Sequence, residues 1–191
     1  MNENPPDASG TRLRAILWPA LLLALVLAVG WQFFMLHLDA PSIHNKDEYL
    51  HVSATQSMWQ GGSWWLPTVQ GEVYLNKPPL KMWLTFLPLA VLGESNQSYR
   101  LIDGLAGMLL LIVVFAFVHS EYHSPSVGAL AAAGLLACGA FFAEHGFHSA
   151  NQDALLLVLV TVAMAFGYRS FRDGAGSLRA AVLAGVLTGL A

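Results

Sequence analysis

A chain of 191 residues that is 55% hydrophobic and only 11% charged carries more apolar surface than a soluble domain of its size can hide, so it is a membrane protein. Its net charge of -3 and its lack of any basic cluster exclude a nucleic-acid partner. The single cysteine, Cys138, lies in an apolar run, which excludes an internal disulfide and reads as a buried structural thiol.

Met1 to Gly10 is polar, Arg12 and Arg14 follow, and residues 1–14 read as a cytoplasmic tail. Ala15 to Leu38 is then apolar and uncharged, long enough to cross about 30 Å of hydrocarbon, and no small-x-small cleavage site follows it. An uncleaved first transmembrane helix over 15–38 is expected. Residues 39–99 form a long hydrophilic excursion that closes on the apolar block Pro79 to Leu92. That block, about 14 residues carrying Lys81 and Pro88, suits a helix lying in the interface better than one that spans.

Residues 100–191 hold the apolar blocks Leu101 to Val118, Val127 to Phe142 and Ala154 to Tyr168, and a last one from Leu178, read as transmembrane helices two to five. The last block, about 13 residues at 1.5 Å each, reaches about 20 Å, so these residues are expected to be the N-terminal part of a longer protein. Gly104 with Gly107, Ala131 with Gly134, and Gly185 with Gly189 are small-residue pairs suited to close helix approach. The fold class is an all-α, multi-pass membrane protein with interfacial amphipathic helices in the first external loop.

Basic residues are retained on the cytoplasmic side of a span. This puts Arg12, Arg14, Arg169, Arg172 and Arg179 inside and Lys46, Lys77, Lys81 and Arg100 outside. The outside then collects Asp47, Glu48, Glu72, Lys77, Arg100, Glu144, His145, His148 and Asp153, from the first loop and from the turn between the third and fourth spans. An external polar site is the natural reading, provided that Pro79 to Leu92 does not cross.

Asp and Lys are costly near lipid unless paired or used. Asp47 and Glu48 precede Leu50, Ala54 and Met58 at helical spacing, with Trp59, Trp64 and Trp65 nearby as interface anchors. At a helix start, capping and a favourable dipole interaction alone would also account for this acidic pair. Lys77 precedes Pro78 and Pro79, which restrict the backbone from which its ammonium projects. A fixed cation suits a phosphate, and snorkelling at the membrane surface is the alternative.

Asp153 opens the fourth span after Asn151 and Gln152, as a helix cap or as a second acid. Glu144, His145 and His148 place an acid and two imidazoles within one or two helical turns, a spacing that could supply metal ligands. Arg100 and Asp103, three apart, are spaced for an intrahelical pair.

Together these pieces resemble the GT-C superfamily of multi-pass glycosyltransferases, in the aminoarabinose-transferase and protein-mannosyltransferase-like branch. The resemblance runs through Asp47-Glu48, Gly62-Ser63-Trp64-Trp65-Leu66-Pro67, Gly71-Glu72-Val73-Tyr74 and Lys77-Pro78-Pro79-Leu80. Arg100-Leu101 with Ala106-Gly107, and Asp153-Ala154-Leu155-Leu156, extend it towards the end of the chain. Three positions depart from the pattern. Asn76 stands where Glu is common before the Lys-Pro-Pro, which counts against a metal role there. His51 replaces an aromatic residue, and His148, cationic only when protonated, replaces a basic one.

What the resemblance implies is transfer of a sugar, with inversion, from a polyprenyl-phosphate donor to a lipid or protein acceptor at the external face of a bacterial inner membrane. Asp47 and Asp153 would be the catalytic acids, with Asp47 as general base or acceptor-positioning group. Lys77, with Arg100 as a second candidate, would hold the leaving phosphate, and Glu48, His51 and Tyr74 would contact substrate. A divalent metal is left open. The rival class is a non-catalytic transporter or scaffold fragment, but transporters place ionisable groups near mid-membrane, whereas these spans are poor in charge.

Overall fold

The computed structural model describes residues 8–40, 43, 45–142, 146–172 and 178–190. Helix α1, Ala8–Phe34, is followed by a turn through Met35–Asp39 in which His37 takes φ 62°. It starts earlier than the apolar run because Leu13 and the arginines around it are good helix formers. Helix α2, Lys46–Trp59, leads to a small antiparallel hairpin of β1, Thr68–Val69, and β2, Glu72–Val73, the one addition to the expected all-helical chain among the described residues. Its turn is made by Gln70 and Gly71, both at positive φ.

Pro78 and Pro79 then end the extended segment and admit α3, Leu80–Leu92, which stops at Gly93 with φ 77°. Ser95 caps α4, Asn96–Tyr122, by accepting from the Ser98 amide at 3.2 Å. His123 in the left-handed region and the cap Ser124 turn the chain into α5, Pro125–Leu136, with Pro125 in its first turn. After a 3-10 segment, Gly139–Phe142, come α6, Asp153–Arg172, and α7, Leu178–Leu190.

Three helices among the described residues are long and apolar enough to cross a membrane: Leu13–Phe34 of α1, α4 and α6. The block Val127 to Phe142 does not form one continuous helix. It divides into the 12-residue α5 and the 3-10 segment, where Cys138 donates to the Leu135 carbonyl and Phe141 to that of Cys138. Cys138 is exposed here and is not a buried thiol. The 13 residues of α3 would extend about 20 Å and stay short of the hydrocarbon thickness.

Two apolar cores result. Val26 and Phe34 of α1, Leu110, Leu111 and Phe115 of α4, Ala132 of α5 and Val158 of α6 form the first, with the Phe147 ring packed at a tilt against Phe34, centroids 4.9 Å apart. Close approach of α1 to α4 depends on glycine: a Cβ at Gly104 would lie 2.6 Å from the Phe34 carbonyl oxygen, and one at Gly107 2.8 Å from the Phe34 ring. Gly134, Gly185 and Gly189 face open space instead, so one of the three expected small-residue pairs mediates packing. The second core gathers Ala54 and Met58 of α2, Met82, Phe86 and Leu89 of α3, and Tyr99 of α4. Between the two cores, α4 carries Arg100 and Asp103, both fully buried.

The helix ends sort by charge. Arg169 and Arg172 of α6 meet Glu121 of α4 at one end of the bundle, while Lys77 meets Asp153 at the other. The starts of α4 and α6 therefore share an end, with the end of α1.

Candidate active site

Each candidate aspartate follows an asparagine by two residues, and the asparagine does the capping. Asn45 Oδ1 accepts from the Asp47 amide at 2.8 Å, and Asn151 Oδ1 from the Asp153 amide at 2.9 Å. Neither carboxylate is needed to seat its helix.

Asp47 is exposed on the first turn of α2, and His51, one turn further along the same face, is buried. The His51 ring packs edge-on against Tyr74 at 6.2 Å. Burial, with the Lys81 and Lys77 ammoniums beside it and only partly offset by Asp153 and Asp47, pushes the His51 imidazole down to about 4. The ring is uncharged at neutral pH, and its Nδ1 meets no donor or acceptor among the described residues. Burial, reinforced by Asp47, pushes the Tyr74 hydroxyl up. Asp47, Lys77, Lys81 and Asp153, from four separate segments, thus act electrostatically on His51.

Lys77 Nζ lies 4.0 Å from Asp153 Oδ1, and both side chains are about 40% exposed (39% and 41%). Such a pair is worth little by itself and yields readily to a ligand. Behind Lys77, the Gln152 amide donates to the Pro78 carbonyl and clamps the Pro-Pro segment to the start of α6. A cavity of about 120 Å³ opens here. Lys77, Lys81, Gln152 and Asp153 line its polar end, and Leu155, Leu156 and Leu159 of α6 with Leu190 of α7 make an apolar wall.

Glu48 and Arg100 lie beneath this surface and do not line the cavity. Glu48 takes Arg100 Nε at 2.7 Å and Nη2 at 3.1 Å and also accepts from the Ala150 amide at 2.7 Å, while Arg100 Nη1 donates to the Leu38 carbonyl at 3.1 Å. Asp103 pairs with Lys81, Nζ to Oδ2 at 2.7 Å, with side chains 4% and 0% exposed. The intrahelical Arg100–Asp103 pair expected from spacing is replaced by two pairs between elements, because both side chains point into packed neighbours. The signal for the Lys81–Asp103 pair lay in Lys81, the one charged residue of apolar α3, and in Asp103, set in the apolar sequence of α4.

Of the candidate metal ligands Glu144, His145 and His148, His148 alone lies among the described residues. Among the described residues no three His, Cys, Asp or Glu side chains gather as a metal ion would require. His148 bonds through Nε2 to the Phe33 carbonyl at the end of α1, and burial holds its imidazole below the usual range. Glu144 and His145 lie outside the described residues.

Trp59, Trp64, Trp65 and Trp83 form an aromatic cluster around the α3 residue Phe86, with the first three exposed. Trp83 Nε1 donates to the Trp64 carbonyl at 2.9 Å, Trp65 packs edge-on to Trp83 at 5.3 Å, and Trp59 and Trp64 both contact Phe86. Aromatic rings of this kind suit the headgroup level of a bilayer.

The chain is similar to an undecaprenyl phosphate-alpha-4-amino-4-deoxy-L-arabinose arabinosyl transferase of Pseudomonas savastanoi pv. phaseolicola, 25% identical over 167 residues, which are 87% of this chain and 31% of that protein. A transferase of the same description from Aeromonas hydrophila subsp. hydrophila is 26% identical over 85 residues, 44% of this chain and 16% of that one. The fold matches the crystal structure of ArnT from Cupriavidus metallidurans in the apo state, with TM-score 0.61 and 25% identity, covering 90% of this chain and 30% of that one. The same protein bound to undecaprenyl phosphate matches with TM-score 0.63 at 24% identity over the same shares. The chain spans under a third of the length of these relatives. The profile of one family covers residues 76–191, beginning one residue before Lys77. With that match running over more than half of its residues, the chain belongs to the family described as dolichyl-phosphate-mannose-protein mannosyltransferase.

Proposed function

We propose that the chain carries the donor-binding and catalytic groups of an integral-membrane glycosyltransferase that uses a polyprenyl-phosphate-linked sugar. The observation that supports this most directly is the cavity. An ammonium at one end and a leucine wall along the other match a phosphate head joined to a hydrocarbon chain. The relatives carry undecaprenyl phosphate in their names or bound in their structure, which agrees with that chemistry.

In the proposed reaction an acceptor hydroxyl on a lipid or protein attacks the anomeric carbon from the face opposite the phosphate. The new C–O bond forms as the bond to the phosphate oxygen breaks, so the configuration inverts. Asp47 takes the hydroxyl proton, the lipid phosphate leaves with the bonding electron pair, and Lys77 holds the charge that gathers on it. Asp153, 4.0 Å from Lys77, repels that anion and is displaced from the ammonium when the donor binds. Neutral His51 and Tyr74 contact the sugar, while Glu48 and Arg100 hold α2 and α4 in register beneath it.

The end bearing Lys77 is the external, periplasmic one in this reading, since Arg14, Arg169, Arg172 and Arg179 occupy the opposite end. The test is transfer of labelled sugar from a polyprenyl-phosphate donor by membranes carrying the gene product. Turnover unchanged by Lys77→Ala would remove the phosphate role from that cavity.

A further inference from the structure

Lys81 is the one ionisable side chain lining the cavity that this reading leaves without a task, and Asp103 is its buried partner. A buried ion pair is a weak source of stability, because desolvating two charges offsets most of their attraction, and well-packed apolar residues of similar volume often do as well. Neither Asp103 oxygen meets another donor with hydrogen-bond geometry among the described residues, so Lys81 is its electrostatic partner. The location of the pair is informative. Lys81 sits in the first turn of α3, four residues after Lys77, and its side chain borders both the cavity and a closed seam shared with His51, Thr55, Thr85 and Tyr99.

We propose that the Lys81–Asp103 pair is a positioning device for the anion-binding end of the cavity, acting on Lys77 through the first turn of α3 and on His51 through the ammonium charge. The proposal rests on reading the cavity as a lipid-phosphate site. The segment from Lys77 to Lys81 is held twice, by Gln152 of the α6 loop at Pro78 and by Asp103 of α4 at Lys81. With both holds in place, the two prolines leave Lys77 little freedom. Asp103 itself does not line the cavity, so its effect on ligand binding passes through Lys81.

The electrostatic half follows from what surrounds His51. Asp47 lies on its own helix, Tyr74 beyond the hairpin, Lys77 before the start of α3 and Lys81 in its first turn, Tyr99 on α4 and Asp153 on α6. After burial, the Lys81 charge is the largest influence holding the ring neutral, ahead of Lys77 and against the two aspartates. A neutral imidazole offers one donor and one acceptor to a sugar, whereas a cationic ring would compete with Lys77 for the phosphate.

The deciding variant is Lys81→Met with Asp103→Leu, which removes both charges and leaves no orphan. Histidine-labelled NMR of the purified protein, with the His51 signal identified by its loss in His51→Phe, reads the first effect. The wild-type ring stays neutral down to about pH 4, and in the double variant its titration moves up towards the ordinary range. Kinetics with a polyprenyl-phosphate sugar donor read the second, with KM rising by up to about a hundredfold while kcat changes less. Asp103→Asn raises KM in the same way, although that side chain cannot touch the donor. A folded double variant with wild-type His51 titration and wild-type KM overturns the proposal, as does a wild-type His51 that titrates near its ordinary value. Should the wild type transfer no sugar, the cavity reading fails, and the His51 titration alone still decides whether the pair acts on the site.

Discussion

Glu48 and Arg100, 52 positions apart in the chain, form a two-pronged ion pair closed to solvent, with side chains 5% and 2% exposed. The pair ties the helix that bears Asp47 to the start of α4. Through the Ala150 amide and the Leu38 carbonyl it also draws in the loop before Asp153 and the turn after α1. Four segments meet on two side chains.

Breaking that pair on one side leaves a buried charge uncompensated, so Glu48→Gln or Arg100→Met should cost about 3–5 kcal/mol of stability. Thermal unfolding in detergent measures it. Lys77→Ala, at a half-exposed and loosely paired position, should shift the same transition by less than about 1 kcal/mol. Equal shifts for the two classes would contradict the division between buried frame and open site.

Asp47→Asn keeps the size of the side chain and the Asn45 cap, which bonds to the backbone amide and not to the carboxylate. The variant should insert and fold normally yet lose about 10²–10⁴-fold in kcat, the usual worth of a general base. Sugar transfer from a polyprenyl-phosphate donor provides the assay, and near-wild-type kcat would take Asp47 out of the chemistry.

Gly104→Leu or Gly107→Leu would drive a side chain into Phe34, whose backbone and ring occupy that space. We expect about 1–3 kcal/mol of destabilisation from overpacking, with α1 loosened from α4. Gly134→Leu, made in open space, is the control and should leave protease resistance unchanged.

His51 gives a pH signature. Its folded-state value, about 4, lies below the ordinary 6.5, so the unfolded chain binds more protons between those limits. The stability that His51 contributes is therefore complete above about pH 6.5 and is lost as pH falls towards 4. Unfolding midpoints taken across this window should drop for the wild type and drop less for His51→Phe, and parallel curves would show that His51 does not titrate there.

Much of this protein was legible in its residues. The register from Asp47-Glu48 to Lys77-Pro78-Pro79-Leu80 needs no tertiary information, because cap, turn and proline chemistry are local. The helix starts at Lys46, Leu80 and Asp153 follow from the same local rules, whereas α4 starts at Asn96, ahead of the expected block from Leu101, because Ser95 caps it. The misreadings fell where distance along the chain misleads. Arg100 and Asp103 looked like partners because they are three apart on one helix, yet each is claimed by a side chain from another element. Val127 to Phe142 looked like one span because hydropathy does not record where a helix gives way to a 3-10 turn.

Composition and periodicity alone determined that the chain belongs in a membrane, and local motif chemistry singled out the residues proposed to meet a phosphate or a hydroxyl. Only the tertiary structure decided that Asp47, Lys77 and Asp153 share one end of the bundle, that His51 is buried and neutral between them, and that Lys81 is held by Asp103. The reason is physical: propensity, capping and hydrophobic runs act over a few residues, whereas ion pairing and desolvation depend on which helices come within a few ångströms. Here that approach is set by glycines on α4 and by two buried ion pairs that no short window of sequence contains.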